Sequence, residues 1–498
     1  MDEKFKKLIE RYKKANDKKS QWESVWKECY EYAFPQRENI CNSDDYVQDK
    51  TAAHLFDGTA PDAVDQLASS LFSELTPVWV RWFGLRAGYE LSESEAAQVA
   101  DVLEKASDIL QQNFDHSNFG VEIHQCYLDL VTIGTACLLF EEAPLGEATA
   151  FRFYAVPIRE VAFEESASGR VDTTFRCSEV SIEDIQTRFP AVEIPPFCIH
   201  QAEKNSDYKL KLLEVVEPEV KSSGYRYTAF AYDAVYDKEC FLLKDGIFET
   251  SPFINFRWLK APGEIYGRSP VMKALPDIKT ANKVVELILK NASIAVTGIW
   301  QADDDGILNP ANIQLVPGAI IPKAVGSKGL TPLEAPGRFD ISQLVLDKLR
   351  AKINHSLLAD RLEQISAPSM TATEVMERSA EVSRILGATF GRLQSELLTP
   401  LLKRAFQILR RRGDVMNFEL DGKIVDLQYK SPLALAQSRH SVENVVQWAQ
   451  MLARFGESGI SLINAKEAAK WLANSLSVPQ NLLAYNQSEV LTEESENE

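Results

Sequence analysis

The sequence predicts a mainly α-helical chain with β-rich insertions, an α+β fold. Three observations carry this. Between Tyr266 and Gly413 the pattern reads helix, Pro/Gly-rich excursion, helix, short loop, then one very long helix. Residues 151–260 hold the densest strand signals. The stretch before them repeats apolar residues at i+3/i+4, the spacing of helices with one buried face.

Taken in order, residues 1–34 are basic and then aromatic. Trp22, Val25, Trp26, Cys29 and Tyr30 share one helical face, and Pro35 is expected to stop the helix. Residues 36–50 are polar and read as a loop. A second amphipathic pattern runs from Ala52 to Leu75, with Asp57-Gly58 as a turn and Thr59 as N-cap before Pro61. Thr76 to Leu85 reads as extended, carrying Trp79, Trp82 and Phe83. Helices are predicted from about Ser92 to Phe114 and from Val121 to Ile133, then a strand over Ala136–Phe140. The block 151–260 reads as one small β-rich module, with Gly169, Gly224 and Gly246 as turn residues.

In the central stretch the first helix is expected to open at Pro276, since proline suits the first turn, and to run to Gly298. At about 1.5 Å per residue it would be roughly 30 Å long. Ile278, Ala281, Val285, Ile288, Ala292 and Ala295 form its apolar face; Lys279, Lys283, Glu286, Lys290 and Ser293 form a polar stripe. Residues 299–338, rich in Pro and Gly, are too long for a simple turn and should fold or dock on their own. In the second helix Asp340 is the expected N-cap, with Phe339 stapled to Leu344. The third opens on the capping box Thr371-Ala372-Thr373-Glu374 and closes on Arg410, Arg411, Arg412 and Gly413, with Gly387, Gly391 and Pro400 as expected kinks. Residues 415–430 read as a β-hairpin turning at Asp421-Gly422. Helices resume from about Ala434 to Leu476, and the acidic tail from Gln487 is expected to be disordered.

The 498 residues exceed one comfortable core, so two to four subregions are expected. Seven cysteines without a C-x-x-C pair read as free thiols in a reducing cytosol. The most apolar window, Val284 to Trp300, is interrupted by Glu286 and Lys290, and no membrane span is expected. A net charge of −18 argues against gripping nucleic acid over the whole surface, because phosphate binding needs Lys and Arg. It is compatible with DNA passing an acidic wall that gives no adhesive contact.

Signatures of catalysis are few. Gly263-Glu264-Ile265-Tyr266-Gly267-Arg268-Ser269 lies between a strand and a helix, as a phosphate loop would. It is one residue short, has Arg268 in place of lysine, and Pro270 lacks an N–H donor. Six histidines are scattered without metal-ligand spacing, although His116 and His124 stand on neighbouring elements. Asp303-Asp304-Asp305 sits in a turn-rich loop, where solvated carboxylates are ordinary. There is no G-x-S-x-G elbow. Nothing here requires an enzyme, a cofactor or a metal.

One collinear set of short motifs is more specific. Gly58-Thr59-Ala60, Leu67-Ala68-Ser69, Leu75-Thr76-Pro77, Trp82-Phe83, Ser117-Asn118-Phe119 and Gly134-Thr135-Ala136 are followed by Tyr266-Gly267-Arg268-Ser269-Pro270, Ala274-Leu275-Pro276-Asp277, Met370-Thr371-Ala372-Thr373-Glu374-Val375 and Ser431-Pro432-Leu433-Ala434. In this order, from about Trp22 to Trp448, the chain resembles the head-to-tail connector, or portal, family of short-tailed bacteriophages.

The resemblance implies a ring, commonly of twelve subunits, at one capsid vertex of the virion, assembled in the host cytoplasm. It implies a portal fold with wing, helical stem, clip and crown. On this sequence the wing would be 1–265, the stem helices 266–298 and 339–361, the clip 299–338 and the tunnel loop 362–371. A long kinked wing helix and hairpin would fill 372–433, the crown 434–486 and a disordered tail 487–498. The implied partners are double-stranded DNA, the terminase large subunit, the major capsid protein, a scaffolding protein, a tail adaptor at the clip and internal core or ejection proteins at the crown.

In such a ring Lys279, Lys283 and Lys290 on the first stem helix, with Arg350 and Lys352 on the second, would become belts of cations touching passing phosphates. The other reading of these five is that they solvate the outer stem or pair with a neighbouring subunit's carboxylates. Gln364, Ser366, Pro368, Ser369, Met370 and Thr371 would make a small, polar tunnel loop. Two further readings stay open: a nucleotide-using cytosolic enzyme built on residues 263–270, and a capsid or tail scaffold protein without DNA contact.

Overall fold

A computed structural model describes residues 3–301 apart from 38–53, 79, 92, 168, 206–207, 220–223, 233–239 and 298–299. It also describes 331–332, 339–362, most of 387–430, and short pieces between 442 and 473. The expected capping box at 371–374, the tunnel-loop residues, Asp303–Asp305 and the acidic tail lie outside the described residues.

Helix α1 (Glu3–Ala33) forms as its spacing predicts, burying Trp26, Cys29 and Tyr30. Helix α2 (Thr59–Leu75) starts at Thr59 itself, so Thr59 is not the cap. The Thr59 N–H donates to Asp57 Oδ1 at 3.0 Å, and that aspartate takes the capping role. Strand β1 (Phe83–Ala87) is the regular part of the predicted extended segment. Helices α3 (Glu93–Asp115) and α4 (Phe119–Ile133) follow, and α4 ends on Gly134 in the left-handed region.

The β-rich block is two sheets, not one module. Strand β2 (Thr135–Glu142) is central in a three-stranded antiparallel sheet, flanked by β3 (Phe151–Val156) and β9 (Phe253–Arg257). The second sheet is a meander of β4 (Val161–Glu165), β5 (Val171–Val180), β6 (Leu210–Glu219), β7 (Gly224–Tyr232) and β8 (Cys240–Phe248). Helices α5 (Ile182–Arg188) and α6 (Pro196–Lys204) fill the β5–β6 connection. Gly246 lies inside β8 and Gly224 opens β7; of the three predicted turn glycines only Gly169, with φ 80°, occupies a left-handed turn position.

Three sheet edges are closed by side chains of the same chain. Asn118 accepts the Phe153 N–H at 3.0 Å and donates to the Phe153 carbonyl at 2.8 Å, as a residue of a neighbouring strand would. Glu122 accepts Ala155 N–H at 2.8 Å. Buried Lys19 donates to the carbonyls of Ile158, Arg159 and Val161 beside β4. Glu396 accepts Arg257 N–H on the far edge of β9. Unpaired strand edges invite association with other chains, so these contacts protect the fold. Asn118→Ala should strand two buried backbone groups and cost about 2–3 kcal/mol, with faster aggregation. Thermal melting with light scattering checks this; an unchanged midpoint would mean water replaces the amide.

Helix α7 (Pro270–Thr297) begins six residues before the expected start. Ser269 caps it, accepting Met272 N–H at 2.9 Å, and Pro270 takes the first-turn position that Pro276 was expected to hold. Strands β10 (Trp300–Gln301) and β11 (Thr331–Pro332) pair antiparallel and clasp the ends of the excursion. Helix α8 (Phe339–Ser356) starts one residue before Asp340, and Leu344 is exposed. The second helix then breaks at Leu358, with φ 60°, before the short α9 (Ala359–Leu362).

The last long helix carries a π-turn over Gln394–Leu398 that runs into α10 (Thr399–Arg412), just before Pro400. Thr399 Oγ1 donates to the Gln394 carbonyl five residues back, so the irregularity falls between two of the expected kink points. Gly413 closes α10 with φ 85°, as the arginine run and glycine predict. The expected 415–430 hairpin is absent. The described residues of 415–420 form no strand, and β12 (Val425–Tyr429) pairs with β1 instead, Val425 opposite Ala87. Phe418 packs on Phe406, 4.5 Å between rings, which holds the would-be first arm against α10.

Candidate functional site

The sequence directs attention to α7 and α8, which pack side by side. Val284, Val285 and Ile288 turn toward the core, leaving Lys283, Glu286 and Lys290 on the polar stripe. All five candidate cations have a carboxylate partner within the same chain. Lys283 and Lys290 grip Glu286 at 2.9 and 2.5 Å, and these bonds, Lys290 first, hold its pKa down to about 2. Lys279 reaches Glu28 of α1 at 2.7 Å and lies over the Tyr32 ring. Lys352 meets Asp277 at 2.9 Å, joining α8 to α7.

Arg350 contacts Asp57, which is 5% exposed, at 2.8 Å. Burial opposes ionisation of Asp57, but hydrogen bonds from Thr59 and Arg350 outweigh it and lower its pKa. Next to it Asn282 Oδ1 accepts the N–H groups of Phe56 and Asp57, and its amide donates to the His54 carbonyl. The structure thus brings Lys283 and Lys290 together around one acid and sends the other three cations to different elements.

The glycine-flanked turn at 263–269 directs several of its donors inward to the fold. Gly267 N–H goes to Thr135 Oγ1 at 2.8 Å, Arg268 N–H to the Leu259 carbonyl, and Ser269 Oγ to the Thr132 carbonyl. The Arg268 guanidinium pairs with Glu264 and lies over Trp22. These groups build a backbone crossing between Gly134 and Gly267 and take up the Gly267 and Arg268 N–H groups that a phosphate loop would turn on its ligand. His116 and His124 do not meet: His124 stacks edge-on against Phe72, while His116 lines a cleft of about 580 Å³ with Tyr154, Arg176 and Arg188. Arg176 and Arg188 are spent on Glu160 and Glu214, and Arg152, also in the lining, pairs with Glu147. Among the described residues no group of three His, Cys, Asp or Glu is placed to hold a metal.

Sequence reasoning missed the buried polar joints. Arg257, 2% exposed, binds Glu396 through Nε and Nη2 and the carbonyls of Ile265 and Gly169. Arg404, in α10, donates to the carbonyls of Phe140 and Thr250, sits between the Phe140 and Phe248 rings, and burial lowers its pKa to about 10. An apolar helix face interrupted by one arginine, as at Arg404, was the available signal.

Asp129, 3% exposed, accepts Tyr30 OH at 2.8 Å and meets Arg37 at 3.0 Å. Burial dominates and pushes its pKa up to about 6, against the pull of Arg37 and Tyr30, while Arg37, nearer solvent, is held charged. The folded state therefore binds this proton more tightly than the unfolded chain, whose aspartates titrate near ~3.9. The stability it contributes is full below ~4 and is lost as pH rises through about 6, on the order of 3 kcal/mol. Asp129→Asn should remove that slope, so in melting experiments the stability of wild type relative to the variant should fall by about that amount from pH 4 to pH 7. A constant difference would show that the carboxylate does not titrate there.

The charged groups of this region lock elements of the chain to one another. The chain belongs to the family described as bacteriophage head to tail connecting protein, which matches residues 5–483. It is 24% identical over 482 residues to a probable portal protein of Bordetella phage BPP-1, covering 93% of this chain and 85% of that one. It is 24% identical over 493 residues to the portal protein of Salmonella phage epsilon15, with the same coverage of each. Among solved structures it aligns with the neck of an empty gene transfer agent particle at TM-score 0.38 and 12% identity, covering 85% of this chain and 92% of that one.

Proposed function

We propose that this head-to-tail connector is a portal protein. Copies form a ring at one capsid vertex, and double-stranded DNA enters and leaves through its channel while the tail attaches on the outside. The observation that carries this is the collinear match to the connector family over 5–483, shared with relatives named as portal proteins. The paired rods α7 and α8, about 42 and 27 Å long at 1.5 Å per residue, support a stem at 266–298 and 339–361. The clasp of β10 and β11 supports a separate clip over 299–338. The wing, tunnel-loop and crown ranges given above complete the plan.

In this reading the ring is catalytically inert and the motor is a separate terminase. Capsid, scaffolding, tail-adaptor and core proteins meet it at the wing, clip and crown. Lys279, Lys283, Lys290, Arg350 and Lys352 line or flank the channel with their charge largely offset by four intrachain carboxylates. DNA would therefore feel weak, salt-sensitive contacts rather than a grip. Images of the purified particles test the proposal directly. A ring with an open bore wide enough for a duplex is expected; a monomer under conditions that support head assembly, or a closed disc, would overturn it.

A further inference from the structure

The basic start of α1 is not absorbed by the channel reading. Between Glu3 and Ser20 stand eight basic and three acidic side chains, in a chain whose net charge is −18. Four of the eight are structural: Lys4 pairs with Asp245, Lys7 with Glu3, Arg11 with Glu164 and Glu217, and Lys19 caps carbonyls. The other four, Lys6, Lys13, Lys14 and Lys18, are exposed, and among the described residues none has a carboxylate within 4.0 Å. At about 100° per residue they fall on the face opposite Phe5, Leu8, Ile9 and Ala15, which bury α1 against the five-stranded sheet. Glu10 and Asp17 stand among them, so the face carries a net positive charge without being uniformly basic. From Lys6 to Lys18 the ladder spans roughly 18 Å.

We propose that this face is a second nucleic-acid contact, distinct from the channel, on which the phosphodiester backbone of double-stranded DNA rests against the outside of the assembly. Charge complementarity argues for a polyanion: in a chain of net charge −18 this face is locally positive. Its long, unpaired lysines give charge without directional readout, which suits a backbone and not base edges. The assignment of DNA as the polyanion rests on the portal reading.

The test uses the assembled full-length protein and a covalently closed circular duplex, which cannot thread a channel. The variant is Lys6→Gln/Lys13→Gln/Lys14→Gln/Lys18→Gln, with the four Lys→Arg changes as a charge-preserving control. The wild-type assembly should bind the circle, and the glutamine variant should lower the slope of log affinity against log salt by roughly 3 to 4. The arginine control should keep the slope, and all three proteins should melt alike. An assembly that ignores the circle, or an unchanged slope in the glutamine variant, overturns the proposal. So does equal binding of a polyglutamate chain, which would mark an acidic protein partner. A ring without a bore would sink the portal reading and leave this measurement standing.

Discussion

Gly267→Ala is expected to prevent the chain from folding. A methyl group there would sit 2.1 Å from the Gly134 carbonyl oxygen and 3.0 Å from Arg257 Cβ. The obstacle is backbone, and it is fixed from several sides. Gly134 itself has φ 80° and receives Trp258 N–H on that same oxygen. Thr135 and Thr132 hold the opposite strand of the crossing through Gly267 and Ser269. Relaxation would have to part the turn after α4 from the segment leading into α7, a loss above about 4 kcal/mol. Gly263→Ala is the matched comparison: φ is 82° but the site is open, so only the left-handed penalty of about 1–2 kcal/mol applies. Soluble yield and circular dichroism distinguish the two. A Gly267→Ala protein melting within a few degrees of wild type would show that the crossing gives way.

Arg257→Ala should cost about 3–5 kcal/mol, because partly buried Glu396 loses the cation that binds both its oxygens and is left with Arg392, and two carbonyls lose a donor. Arg257 ties β9, the π-turn, the β4–β5 turn and the approach to α7 at one point. Removing the acid as well should recover part of the loss, so Arg257→Ala/Glu396→Ala should be less destabilised than the sum of the single changes. Denaturant titration of all four proteins measures the coupling. Strict additivity would mean that the pair contributes nothing beyond its separate contacts.

Local signals were readable in the sequence and remote ones were not. The aromatic spacing of α1, the Arg-Arg-Arg-Gly end of α10 and most strands of residues 151–260 follow from patterns a few residues long. The hairpin expected at 415–430 failed because Asp421-Gly422 is a local turn cue, while β12 takes β1 as partner from nearly the other end of the chain. The start of α7 moved because Ser269 offered a cap before Pro270, a better pairing than the later proline. The candidate cations were found by type and spacing, but not their partners: Glu28, Asp57 and Asp277 lie on other elements. Close approach at Gly134 and Gly267 likewise needs two distant segments placed at once.

The position of α1 sets a schedule for synthesis. Its Phe5 rests on Phe230, Trp26 on Tyr266 and Glu28 on Lys279. The ribosome therefore delivers this part of the seat about 12–50 seconds after the helix, at 5–20 residues per second. Until then α2, α4 and β4, which are made earlier, can cover only part of its apolar face. Shielding of the remaining apolar face while translation proceeds therefore favours correct folding of this architecture.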